Sequence, residues 1–173
     1  MDKRQYQISL GLILVAGLLI RLWLIFAPVE WSMTRWGSDD LFYYSQIAGH
    51  YFSSGQLSFD GMYTGSGVQP LFFITVLPFG RWLLNDFEAT IRLFFSLITF
   101  FNVITAFLII KGCQRYDEKG WLGLVAAGLF LLHPKSLNVC FQGTEAALSF
   151  LLFAWLFAYW PAFLKSGKRI WLM

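Results

Sequence analysis

Apolar residues along this chain gather into long uninterrupted runs rather than into short alternations. Ile8 to Ala27 has Arg21 as its one charge, Ile91 to Ile110 has Arg92, and Trp121–His133 and Ala146–Leu164 hold no Asp, Glu, Lys or Arg. About 20 such residues in a helix cross a hydrocarbon core of roughly 30 Å, so these four runs predict transmembrane helices, the third of them short. Leu71 to Leu84 is also apolar but holds Pro78, Gly80 and Arg81, and its length fits a re-entrant or interfacial segment better than a full crossing.

Between the first two spans the period changes. Leu41, Tyr44, Ile47, Ala48, Tyr51 and Phe52 recur at three- and four-residue spacing, which predicts an amphipathic helix that ends near Ser53-Ser-Gly55. Beside a span, such a helix is expected in the interface plane with its aromatic face toward lipid. The expectation is therefore an all-α integral membrane module over residues 1–173. Its spans are 8–27, 91–110, 121–133 and 146–164, and a large outer loop, 28–90, carries an interfacial amphipathic helix and a short re-entrant or interfacial helix.

Composition agrees. Of 173 residues, 57% are hydrophobic and 20% aromatic, while only 13% are charged, against roughly 25% in soluble domains. A net charge of +3 with no basic stripe gives no footprint for nucleic acid, which is excluded as a partner. Basic residues in short loops stay on the cytoplasmic side. If 71–84 does not cross, the N-terminus (Lys3, Arg4), the 111–120 loop (Lys111, Arg115, Lys119) and the tail (Lys165, Lys168, Arg169) hold eight of the thirteen basic residues inside. The outer segments then set Arg35, Arg81, Arg92 and Lys135 against seven acids: Glu30, Asp39, Asp40, Asp60, Asp86, Glu88 and Glu145. Localisation is thus read as the cell membrane (inner or plasma), multi-pass, with a cytoplasmic N-terminus and the main loop on the outer face. The apolar core of the first run is too long for a cleaved signal peptide, so it reads as an uncleaved anchor. Cys113 and Cys140 fall on opposite sides in this topology and cannot pair. The final Ile170-Trp-Leu-Met173 reads as the opening of another span, which makes the N-terminal part of a larger protein the expectation.

Polar chemistry concentrates at the outer surface. Asp39 and Asp40 sit at the positive end of the amphipathic helix, where Ser38 or Asp39 is placed to cap; an ordinary cap of this kind is worth about 1 kcal/mol. Ionisable groups at membrane depth are costly and so become functional candidates. Arg21 lies close enough to its helix end to snorkel, Arg92 and Lys135 stand where interfacial anchors also stand, and Glu145 stands where a first-turn acid with Thr144 as cap would stand. His50 and His133 have no second ligand at metal spacing and read as structural. The five glycines from Gly49 to Gly67 serve a close backbone approach or a plain loop equally well.

Read in order, these pieces resemble the GT-C superfamily of membrane glycosyltransferases, nearest to the dolichyl-phosphate-mannose protein mannosyltransferase and lipid-A aminoarabinose transferase branch. The residues that carry the likeness are Ser38-Asp-Asp40 with Tyr43-Tyr44, Gly55-Gln-Leu-Ser-Phe-Asp-Gly61, Gly67-Val-Gln-Pro-Leu71, Asn85-Asp-Phe-Glu-Ala-Thr-Ile-Arg-Leu93 and Gly143-Thr-Glu145. Where the branch often carries Lys or His before a Pro-Pro pair, this chain has Gln69-Pro70. The resemblance implies transfer of a sugar from a polyprenyl-phosphate donor to an acceptor on the outer face. Asp39 would act as general base, and Asp40 would assist it or bind a divalent cation (Mg or Mn) together with Glu145, the second outer-loop acid. Arg21, Arg92 and Lys135 are the basic candidates for the donor phosphate. Because the family has more spans than four, the resemblance also implies missing C-terminal spans or an additional membrane subunit as partner, beside membrane lipid. The competing expectation is a non-enzymatic four-span protein, such as a lipid-linked sugar flippase or accessory subunit, or an inactive truncated fragment.

Overall fold

The computed structural model of the protein describes residues 2–37, 39–65, 67–83, 85–117 and 120–165. Ser38, Lys119, Lys168, Arg169 and the 170–173 segment, all used in the sequence reading, lie outside the described residues. The chain is all-α: α1 Lys3–Phe26, α2 Val29–Trp36, α3 Asp39–Ser54, α4 Pro70–Val76, α5 Gly80–Leu83, α6 Phe87–Cys113, α7 Trp121–Leu132, α8 Pro134–Phe141 and α9 Ala146–Lys165. Among the described residues the only β pairing is an isolated bridge between Ser58 and Thr64.

Local chemistry sets the helix ends. Asp2 and Gln5 form a reciprocal capping box at the start of α1, which closes ahead of Pro28. The Asp86 carboxylate accepts from the Ala89 N–H at 2.9 Å and opens α6. Two helices are long and apolar enough to cross a membrane, Arg4–Phe26 and Phe87–Cys113. A third crossing exists if α7 and α8 count as one broken span, bent by 57°. Pro134 explains the bend, since it has no N–H to offer the Phe130 carbonyl and its ring disfavours a straight helix. The Lys135 N–H, which would otherwise continue the ladder, instead donates to His133 Nδ1 at 3.2 Å. The third apolar run thus forms α7, which ends at Leu132 with His133 as its cap, and α8 follows it at an angle.

α6 is the central post, with α1, α7 and α9 packed along it. The core beneath α3 is largely aromatic, with Phe72, Phe94, Phe95 and Phe141 all buried. One expectation is corrected here. The apolar stripe of α3 does not face lipid: Leu41, Tyr44, Ile47 and Ala48 are buried against α4, α5 and α6, and only Tyr51 and Phe52 near its end stay exposed. The Pro70–Leu83 segment, broken at Leu77–Phe79 into a tight turn between α4 and α5, supplies the apolar floor that α3 covers. Gly80 permits the approach, because a Cβ there would lie 2.4 Å from the Ala48 carbonyl oxygen.

Candidate functional site

Tyr44 joins three parts of the chain. Its hydroxyl donates to Glu145 Oε2 at 3.3 Å and accepts from the Gln69 N–H at 3.3 Å, so one side chain on α3 ties the approach to α4 to the start of α9. The ring is buried edge-on against Phe72, with centroids 4.9 Å apart. Burial, with the negative field of Glu145 and Asp40 added, pushes the phenol up to about 12, so it remains a neutral donor at any working pH. Gly143 permits the contact. It holds a left-handed φ of +80°, and a Cβ there would lie only 2.5 Å from Leu41 Cβ.

The two candidate carboxylates are the first two residues of α3, both exposed. Asp40 lies one helical turn before Tyr44 on α3, and its charge acts on the Tyr44 hydroxyl that holds Glu145. Asp39 points to solvent and, among the described residues, has no hydrogen-bond partner. Beside this group Tyr43 stacks on Phe59 with centroids 5.4 Å apart, and its hydroxyl fills the space a side chain at Gly67 would need.

None of the three basic candidates contacts Asp39, Asp40 or Glu145. Arg92 binds Glu88 one turn away and donates to the Ile25 carbonyl at 3.0 Å, with its guanidinium 5.6 Å over the Phe26 ring; it ties α6 to the end of α1. Lys135, at the head of α8, is exposed and has no carboxylate partner among the described residues. Arg21 does not snorkel. It is 0% exposed, and Nη1 donates to the Gly17 and Leu131 carbonyls at 2.9 Å each. The Leu131 acceptor is free because the break at Pro134 diverts the Lys135 N–H that would have served it. The sequence reading missed how many polar groups the core holds: Arg21 Nε and Nη2 and the Thr99 hydroxyl are buried without hydrogen-bond partners among the described residues, and Asn102 is fully buried beside the Cys140 thiol.

Both histidines serve backbone bonds, His50 Nδ1 toward the Ser58 carbonyl at 3.0 Å and His133 Nδ1 toward the Lys135 N–H. Among the described residues no three of His, Cys, Asp and Glu gather in a metal-type group. Asp40 and Glu145 offer two carboxylates at most, short of a ligand set made by protein alone. Comparison with protein-family models, curated proteins and solved structures gives no match.

Proposed function

We propose that the chain is a GT-C-type glycosyltransferase module that transfers a sugar from a polyprenyl-phosphate donor to an acceptor on the outer face of the membrane. The observation that supports this reading is the Tyr44 junction, which ties Glu145 to α3 one turn from Asp40 although Tyr44 and Glu145 are 101 positions apart in sequence. Displacing a phosphate from an anomeric carbon needs a base for the nucleophile's proton and compensation for the charge on the leaving group. Asp39, exposed and unengaged, is the general base. Asp40 assists, and Tyr44 holds Glu145 in place through a neutral hydroxyl. Lys135 is the basic candidate best placed by exposure to meet a donor phosphate, whereas Arg92 and Arg21 must first give up the bonds described above. A divalent cation on Asp40 and Glu145 would require further ligands from the donor or from additional chain, and no step here runs through it. Four crossings, both termini inside and the α3 end outside complete the proposal, with further spans in cis or from a partner finishing the site.

Sugar transfer from a polyprenyl-phosphate sugar, assayed in the full chain, tests it. Asp39→Asn is expected to lower the rate by about 10²–10⁴-fold, the usual worth of a general base. Tyr44→Phe, which leaves Glu145 and the Gln69 N–H without their shared partner, should cost less. Normal rates in both Asp39→Asn and Asp40→Asn would end the enzyme reading and favour a non-enzymatic membrane protein.

A further inference from the structure

The loop that follows α3 is short, closely hydrogen-bonded and apolar at its tip. Ser58 is fully buried; its hydroxyl donates to the Tyr63 carbonyl at 2.6 Å and accepts from the Gly61 N–H at 2.9 Å. Asp60 Oδ1 accepts from the N–H groups of Met62 and Tyr63 at 2.8 and 3.0 Å, and the Gly65 N–H returns to the Leu57 carbonyl at 2.7 Å. This staple holds Met62 and Tyr63 outward at 80% and 77% exposure, with Leu57 and Phe59 exposed beside them. A set of large apolar side chains fixed in the open is unusual on a surface meant for water. The loop's single carboxylate, Asp60, is exposed, and the backbone N–H groups that bond it favour its ionised form, so one negative charge stands beside the apolar tip.

Aromatic stacking shows where the loop lies. Phe87, the first residue of the spanning helix α6, stacks on Phe42 at 5.5 Å, and the next residue on α3, Tyr43, stacks on Phe59 of the loop at 5.4 Å. The loop is therefore continuous with the end of a membrane span, at the level where Tyr and Trp belts sit between headgroups and acyl chains. We propose that the Leu57–Tyr63 loop is a membrane-docking wedge that seats Met62 and Tyr63 in the headgroup–acyl boundary of the leaflet on the α3 side. The occupant is lipid because aromatic side chains, exposed at Phe87 and Phe59, run without a break from the start of α6 to the tip, while the charge of Asp60 stays among the headgroups. Seated there, the wedge would fix the acidic head of α3 at a set height over the bilayer.

Nitroxide labels at Met62→Cys and, separately, Tyr63→Cys in the full chain, reconstituted in phosphatidylcholine vesicles, test this. The native thiols are buried, which directs labelling to the new cysteine. Gln56→Cys, exposed on the polar shoulder of the loop, is the aqueous reference. At 62 and 63 the ratio of oxygen to water-soluble nickel-complex collisions should be severalfold higher than at 56. A ratio equal to that at 56 would place the tip in water, and exclusion of both reagents would place it against protein; either result overturns the proposal. Two independent positions, each checked for an unchanged unfolding temperature, keep a misfolded variant from deciding the outcome.

Discussion

Arg21 is a fully buried charge whose setting the sequence concealed. A charge in an apolar run announces a functional candidate, but whether it snorkels or turns inward depends on what the neighbouring helix offers. Here the break at Pro134 frees the Leu131 carbonyl, and that acceptor, 110 positions away, draws the guanidinium into the core. Two of its nitrogens remain unpaired among the described residues, and such a charge is not an efficient source of stability. Arg21→Met keeps the stem and removes the charge, so the variant is expected to unfold at the same temperature as the parent or higher. Arg21→Ala also removes the stem and leaves a cavity, and should lose about 2–5 kcal/mol. Thermal unfolding in detergent compares the two. An equal loss in both would show that the charge itself is compensated. Loss of sugar transfer in a stable Arg21→Met would give the guanidinium a role beyond packing.

At the scale of elements, the two membrane-length helices, α1 and α6, were legible because the bilayer imposes a length that composition alone reveals. The stripe on α3 was legible too, yet its partner was not. Periodicity shows that Leu41, Tyr44 and Ile47 share a face, and either lipid or the short α4–α5 segment could cover it; the segment does. α8 went unread because Lys135, Ser136 and Asn138 dilute its apolar pattern. The meeting of α3 with α9 was beyond reach, since nothing in Tyr44 or Glu145 marks them as partners. Gly143 is the hinge of that meeting. Gly143→Ala must place a Cβ 2.5 Å from that of Leu41 at a φ of +80°, where an L-residue costs about 1–2 kcal/mol before any clash. The expected outcome is a chain that still folds into a bundle but has a lower unfolding temperature and sharply reduced sugar transfer, as α3 and α9 are pushed apart. Activity equal to that of the parent would mean that the Tyr44–Glu145 contact is dispensable.

Across the whole molecule, acids collect at one end. A Cβ at Gly120 would touch the Tyr6 ring, Lys111 donates to the Tyr159 hydroxyl at 2.8 Å, and Arg115 donates to the Ala158 carbonyl, so the start of α1, the end of α6 with Arg115, Gly120 and the far part of α9 share one end of the bundle. Arg92 meeting Ile25, Phe42 meeting Phe87 and Tyr44 meeting Glu145 define the opposite end, where Asp39, Asp40, Glu88 and Glu145 gather. α1 and α6 thus run antiparallel, and the end that holds Arg92 carries an excess of acids. The bias that retains Lys and Arg in the cytoplasm then predicts the orientation of the assembly, not merely of one span. Gln56 is exposed on the acid-rich end and Gln114 on the opposite one. In intact cells, a membrane-impermeant maleimide should label Gln56→Cys and spare Gln114→Cys until the membrane is opened. The reverse pattern would invert the protein and put Asp39 and Asp40 on the cytoplasmic side. Labelling of both from outside would be harder to reconcile with the contacts above, because it would require α6 not to cross, although it is 27 residues long and carries no charge from Leu93 to Ile110.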